Sequence, residues 1–114
     1  MSYPQRGEIY WVSLDLPIGS EIAKTRPAVI VSNNIGNQHA DRVIVAPLTT
    51  ANVAKIYPFE VKLEGGEGGV AQTSKILLDQ IRTVDKARLG ARLGVLLASH
   101  IEELNRAIRL SLAV

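Results

Sequence analysis

Lys24-Thr25-Arg26-Pro27 leads straight into the apolar run Ala28-Val29-Ile30-Val31, and a second apolar run, Val43-Ile44-Val45-Ala46, ends in Pro47-Leu48-Thr49-Thr50. Each run has the length and β-branched content of a core strand. A permanent cation marks the entry of one strand, and a pair of hydroxyls marks the exit of the other. As antiparallel neighbours, the two strands bring those ends to one rim. There the five fixed N–H donors of an arginine and a threonine hydroxyl make a seat suited to a phosphate.

Strand and turn signals continue on both sides. Upstream, Glu8-Ile9-Tyr10-Trp11-Val12-Ser13-Leu14 reads as the first strand, followed by a polar loop over 15–24 with Pro17 and Gly19. The second strand is expected over 28–32. Asn33-Asn34 and Gly36-Asn37 punctuate a turn or one short helical turn. The third strand is expected over 42–48, a polar loop over 49–56, and an alternating fourth strand over 57–63, with Pro58 suited to an edge or a strand start.

The Gly-rich stretch 64–69 reads as a flexible, hinge-like turn. It lacks the Gly-Lys-Ser/Thr ending of a phosphate loop and opens no helix. A fifth strand is expected over 75–82, a helical turn capped by Asp85 over 85–89, and a short strand over 91–96. In the last segment Ser99 and Glu102 have capping-box spacing. Ile101, Leu104, Ile108 and Leu112 form a stripe near the 3.6-residue period, and Glu102 and Arg106 are an i,i+4 pair. Many short strands and one terminal helix predict a mainly β (α+β) fold. The expected form is a small, strongly bent antiparallel barrel with the C-terminal α-helix packed on it, in one domain over 1–114.

Composition narrows the classes. At 114 residues and 46% apolar content the chain supports one packed core and is no disordered tail. It shows no leader and no apolar stretch near the ~20 residues a bilayer requires, so a soluble, cytoplasmic protein with no membrane partner is expected. Without cysteine there is no disulfide, thiol nucleophile or Cys-type metal site. A net charge of +2 permits a nucleic-acid ligand without demanding one. The five aromatics, Tyr3, Tyr10, Trp11, Tyr57 and Phe59, are too few for a broad base-stacking platform.

Several segments, taken in order, carry a resemblance. Arg6-Gly7-Glu8-Ile9-Tyr10-Trp11, Gly19-Ser20-Glu21, Lys24-Thr25-Arg26-Pro27, Val45-Ala46-Pro47-Leu48-Thr49 and Asp79-Gln80-Ile81-Arg82-Thr83-Val84 together resemble the MazF/PemK toxins of bacterial type II toxin–antitoxin pairs. The match runs from Arg6 to the final helix. It implies an SH3-like barrel, a homodimer and inhibition by a cognate, MazE-like antitoxin. It also implies an endoribonuclease that needs neither metal nor cofactor and cuts single-stranded RNA at short sequences. An antitoxin of this kind would lay an extended acidic tail over the cationic groove.

RNA cleaves itself when a 2′-hydroxyl attacks the neighbouring phosphorus. The reaction needs removal of the 2′-OH proton, stabilisation of charge on the pentacoordinate phosphorus and a proton for the 5′-oxygen. The family residues matching Arg26 and Thr49 are active-site residues. Arg26 fits charge stabilisation and not proton transfer, because a guanidinium keeps its proton below ~12. Thr49 fits a hydrogen bond to a phosphate oxygen. The plainer reading is that Arg26 pairs with a carboxylate and Thr49 ties down a loop.

Asp79 is the third catalytic candidate, since one branch of the family uses the matching Asp. That branch also carries an Arg where this chain has Leu77 and a His where it has Ser20. The other reading of Asp79 is a salt bridge to Arg26 or Arg82. His39, in the Asn-rich turn, and His100, at the start of the last helix, read as solvated or capping groups, which leaves the proton-transfer pair unassigned.

Ser20, Glu21, Asn52, Lys55 and Gln80 are candidates to read RNA base edges, and Lys24 and Arg82, with Lys86 and Arg88, to track phosphates. Tyr10, Trp11, Leu110, Leu112 and Val114 are expected in the core, with partner contact as the second reading. Two rival functions share the fold. One is a non-enzymatic toxin that binds DNA gyrase; the other is a cleavage-dead paralogue acting as a binding module.

Overall fold

The computed structural model describes residues 3–14, 18–22 and 24–114. In chain order they form β1 (Glu8–Leu14), β2 (Lys24–Ile30), α1 (Asn34–His39), β3 (Arg42–Thr49), β4 (Glu60–Leu63), β5 (Ser74–Leu77), β6 (Arg82–Asp85), β7 (Leu89–Val95) and α2 (Ala98–Leu112). The strands pair in the order β4-β5-β3-β2-β1-β7, with β6 also beside β3. Every pairing is antiparallel. The β1–β7 register slips between Ile9 and Tyr10 and again between Tyr10 and Val12. Such irregularities bend a strand and tighten its twist. The outcome is the expected small, bent, SH3-like barrel with a C-terminal helix.

The apolar runs lack a polar break because both faces of the central strands are covered. Ile9, Val29, Ala46, Leu48, Leu63 and Ile76 pack in one cluster with Leu104 and Ala107 of α2. Val12, Ala28, Ile30, Val43, Val45 and Val84 form a second cluster on the other face. Arg6 fastens the helix from the side: its guanidinium donates to the Val31 carbonyl at 2.9 Å and to Asn105 Oδ1 at 2.8 Å.

Two prolines decide where the sheet divides. The Ile30 carbonyl accepts from Gly7, and the Val31 amide donates to Ile44. Alternation along β2 therefore turns the peptide groups of odd-numbered residues toward β3. Pro27 falls in that set and has no N–H to give, and the β2–β3 ladder stops at Ala28↔Pro47. Along β3 the same alternation turns position 47 toward the opposite side, where Pro47 again lacks a donor. There Leu48 and Thr49 pair with Ile76 and Lys75 of β5, whereas Val45 pairs with Arg82 of β6. Between those pairs β3 advances three residues and its partner six. The surplus falls in the link 78–81, where Leu78 stays in the core and Asp79 is carried out to the surface.

Several expectations are corrected. The second strand starts at Lys24, so Arg26 lies inside it. The fourth starts at Glu60, because Tyr57 and Phe59 belong to the turn around Pro58. The fifth is two strands, β5 and β6, for the reason just given. Ser99 caps nothing: α2 begins at Ala98, Leu97 holds the cap position, and no side chain bonds there. His100 is not solvated; its side chain is largely buried, with Nε2 3.5 Å from Glu67 Oε2. Trp11, Leu110, Leu112 and Val114 are exposed rather than core, while Tyr10 packs partly buried against the second cluster. Asp85 does cap its turn, accepting from the Ala87 amide at 2.8 Å.

The Gly-rich stretch is a tight packing joint and no hinge. A Cβ on Gly69, whose φ is +83°, would lie 2.0 Å from the Leu93 carbonyl oxygen; one on Gly94 would lie 2.5 Å from that of Gly68. Backbone meets backbone here, so neither neighbour can swing aside. Gly69→Ala should therefore destabilise the protein by about 3 kcal/mol or more, through overpacking and backbone strain together. Gly66→Ala, at a φ of +96° with open space around it, should lose only about 1–2 kcal/mol. Urea midpoints of the two variants check this, and equal losses would refute the packing account.

Candidate active site

The site lies where the sheet divides. Alternation places Arg26 on the same face of β2 as Ala28 and Ile30, and Thr49 on the same face of β3 as Val43 and Val45. That is the face of the second cluster. Beyond the two prolines the face turns polar, and it continues onto β5 and β4 through Thr49↔Lys75 and Lys75↔Lys62. The split leaves a cleft of about 250 Å³ lined by Lys24, Thr25, Arg26, Pro27, Leu48, Thr49, Thr50 and Ser74.

A second cleft, of about 330 Å³, also has Arg26 and Thr49 in its wall. Ser20, Glu21, Asn52, Glu60, Lys75 and Gln80 are among its other lining residues. Arg26 and Thr49 are thus common to two contiguous openings, like a sill between them. A chain threaded through both would pass its backbone over these two side chains. Thr49 Oγ1 accepts from the Ala51 amide at 3.1 Å, which ties down the turn and leaves the hydroxyl hydrogen to donate. The two readings of Thr49 are therefore compatible.

Most candidates converge on this groove. Ser20, Glu21, Asn52 and Gln80 line the second cleft and Lys24 the first. Two of them also hold the loop before β2: Glu21 Oε1 accepts from Ile18 N and Gln80 Oε1 from Ile22 N, both at 2.8 Å. Lys24 and Asn52 have positive φ, +69° and +54°, a conformation that costs a non-glycine residue about 1 kcal/mol or more. Asp79 and Arg82 lie one opening further on, in a cleft of about 550 Å³ that shares Ser20, Glu21, Ile22 and Gln80 with the second. Asp79 is exposed in the link between β5 and β6 and lines neither cleft that holds Arg26 and Thr49. Lys55 lines a further opening. Lys86 and Arg88 line none of these openings, and the Arg88 guanidinium donates to the Ser13 carbonyl at 3.4 Å.

Sequence reasoning missed the pair beneath the second cleft. Lys75 Nζ lies 3.0 Å from Glu60 Oε1, with both side chains only 6% exposed. The ammonium also donates to the Lys55 carbonyl at 3.2 Å, and Glu60 Oε1 accepts from the Tyr57 amide at 2.9 Å. The pair thereby pins the turn between β3 and β4 from below. Its only sequence signal was a lysine opening the apolar run Lys75-Ile76-Leu77-Leu78. Which carboxylate meets it depends on the β4–β5 register.

The resolved protonation shifts lie elsewhere. Burial lowers Arg6, and burial with the neighbouring Glu8 carboxylate raises Tyr10; both line a separate opening with Arg92. Among the described residues, no group of three or more His, Asp or Glu side chains is arranged to hold a metal ion. No helix among them is long and apolar enough to cross a membrane.

Residues 5–112 match the family described as PemK-like, MazF-like toxin of type II toxin–antitoxin system. The endoribonuclease MazF of Staphylococcus saprophyticus is 41% identical over 111 residues, covering 96% of this chain and 92% of that one. The crystal structure of MazF from Deinococcus radiodurans superposes with a TM-score of 0.82 at 27% identity over the whole of both chains. A mycobacterial endoribonuclease in complex with its cognate antitoxin does so with a TM-score of 0.79 at 29% identity, covering 97% of this chain and 96% of that one. The chain belongs to the PemK-like, MazF-like toxins of type II toxin–antitoxin systems.

Proposed function

We propose that the 114-residue chain acts as one toxin domain that cuts single-stranded RNA at short sequences without a metal ion: a 2′-hydroxyl loses its proton and attacks the adjacent phosphorus, the P–O5′ bond breaks, and the 5′-oxygen leaves as a protonated hydroxyl. The observation that carries this reading is the position of Arg26 and Thr49, shared by both openings at the division of the sheet. A phosphate lying over them receives the guanidinium and the threonine hydroxyl as charge builds on its oxygens. The substrate supplies its own nucleophile, so DNA, which lacks the 2′-hydroxyl, is bound without being cut.

The loops around the groove supply the base contacts. Ser20, Glu21, Asn52 and Gln80 present donors and acceptors, while Lys24, Lys55 and Arg82 meet phosphates along the groove. We place Asp79 among the base-reading groups, as an acceptor for an exocyclic amine. Asp79→Ala should then keep kcat within about threefold while discrimination at one base position falls about tenfold. Cleavage of a randomised RNA pool, read by sequencing of the new 5′ ends, measures both, and a collapse of kcat with an unchanged sequence profile would move Asp79 into the chemistry.

The toxin acts as a homodimer neutralised by a cognate, MazE-like antitoxin in this reading. Leu110, Leu112 and Val114 at the end of α2 and Trp11 on β1 form exposed apolar surface, which supports association. Digestion of a long single-stranded RNA in excess EDTA, with mapped 5′ ends, tests the enzyme reading. Discrete cuts support it. Intact RNA after incubation with the folded, antitoxin-free protein rejects it in favour of a toxin that acts by binding.

A further inference from the structure

The turn between β3 and β4 ends in Tyr57-Pro58-Phe59, directly ahead of β4. The two rings stack with centroids 5.5 Å apart and planes 8° from parallel, yet Tyr57 remains 44% exposed. Its backbone is fixed from three directions. The Tyr57 amide donates to Glu60 Oε1, the Tyr57 carbonyl accepts from the Glu60 amide at 2.9 Å, and the Phe59 carbonyl accepts from Leu78 at 3.3 Å. Pro58 fixes a further torsion. An aromatic side chain held this firmly and left this exposed is a preformed plate.

Its surroundings say what the plate is for. Tyr57 lines an opening of about 330 Å³ with Asn52, Ala54, Lys55 and Lys75. Asn52 and Lys75 belong also to the cleft that contains Arg26 and Thr49, so the plate is one step from the proposed site of reaction. Two ammonium groups lie over the ring, Lys55 Nζ at 5.1 Å and Lys75 Nζ at 5.7 Å from its centroid. Lys75 is held there by Glu60 and the Lys55 carbonyl. Lys55 is exposed, and its long side chain can leave the ring for a phosphate. The opening thus combines a π-face, an amide with both a donor and an acceptor, and an exposed cation.

Resting on the RNA-cleaving reading above, we propose that Tyr57 is the floor of a nucleobase subsite beside the reacting phosphate. An unpaired base of the substrate stacks on the ring, Asn52 meets its edge, and Lys55 takes the flanking phosphate. The few aromatics of the chain do not build a broad platform, but one plate at the right place orders one nucleotide.

The test uses a single-stranded RNA carrying one mapped cut site, or an unstructured RNA if no site is cut, with 2′-deoxy sugars blocking cleavage and an abasic residue moved through the sequence. Affinity is read by fluorescence anisotropy for the native protein, Tyr57→Phe, Tyr57→Leu and Tyr57→Ala. Tyr57→Phe should bind within about twofold of the native protein, and Tyr57→Ala about tenfold or more weakly. One abasic position should weaken the native protein by a similar factor and leave Tyr57→Ala unaffected. On the cleavable RNA, KM should rise more than kcat falls.

Native-like RNA affinity in Tyr57→Ala overturns the subsite, as does an abasic scan of the native protein with no sensitive position. So does a variant that loses affinity for the antitoxin alone, which would make the ring a peptide contact. Tyr57→Leu, which keeps an apolar group against Phe59, decides the matter if Tyr57→Ala fails to fold. Arg26-dependent cleavage with an indifferent Tyr57 removes only the subsite, whereas a native protein that neither binds nor cuts RNA removes the wider reading as well.

Discussion

Arg26→Ala should lower the single-turnover rate of RNA cleavage by about 10²–10³-fold, with a much smaller change in RNA affinity. That range is the usual loss when one donor to a developing oxyanion is removed. The loss falls where the charge grows. In the ground state the phosphodiester carries one negative charge, and many cations along the groove can balance it. In the pentacoordinate state more charge sits on the non-bridging oxygens, which the proposed pose puts over Arg26 and Thr49, the two residues shared by both openings. A group aimed there stabilises the transition state more than the substrate, so its loss falls on kcat. Arg26→Lys should recover only part of the rate, because an ammonium cannot present two parallel N–H groups. Thr49→Val should lose about tenfold or more and Thr49→Ser little. The double variant should lose less than the product of the single losses, since both groups serve one phosphate. A kcat for Arg26→Ala within tenfold of the native value would remove Arg26 from the chemistry.

Arg26 and Thr49 were legible because proline punctuates both strands. Apolar runs named the strands, and the prolines lay at their polar ends. The bend at the division of the sheet was not legible. It follows from which side of each strand a missing N–H faces, and that is known only once the Gly7–Ile30 and Val31–Ile44 hydrogen bonds fix the register. The same ignorance joined β5 and β6 into one strand, since nothing in Lys75-Ile76-Leu77-Leu78-Asp79-Gln80-Ile81-Arg82 signals that Pro47 will interrupt its partner's ladder. Asp79 is then carried outward in the link between the two strands, which separates it from the cleft of Arg26 and Thr49. Glycine content alone suggested flexibility at 64–69, whereas the close approach of Gly69 to Leu93 makes the same residues a joint. The start of α2 was misplaced for a related reason. The Leu96 amide bonds to the Gly7 carbonyl at 2.9 Å, which pins the chain just before the helix, whatever the serine after it prefers.

The Glu60–Lys75 pair carries the second large effect, on stability first and on function through it. Lys75→Met leaves a carboxylate in a site only 6% exposed, without the ammonium 3.0 Å from it. Glu60→Gln leaves the ammonium equally uncompensated. Each should destabilise the protein by about 3–5 kcal/mol, the usual loss when one partner of a buried pair is removed. Glu60→Leu combined with Lys75→Met should recover most of that loss, because two apolar groups need no water and no partner. Urea midpoints of the native protein, both single variants and the double variant give the coupling directly. The exposed pair Lys62–Glu64, at 3.3 Å with side chains 46% and 62% exposed, serves as the comparison and should contribute no more than about 1 kcal/mol. If the buried pair couples no more strongly than this one, burial does not strengthen it. The double variant is also the informative one for function. It should fold, yet it lacks the bonds from Lys75 to the Lys55 carbonyl and from Glu60 to the Tyr57 amide. The turn that presents Asn52, Lys55 and Tyr57 is then held less firmly, and KM for RNA should rise while the rate at saturation, which the proposal assigns to Arg26 and Thr49, changes less. An unchanged KM in a stable double variant would make the pair a feature of folding alone.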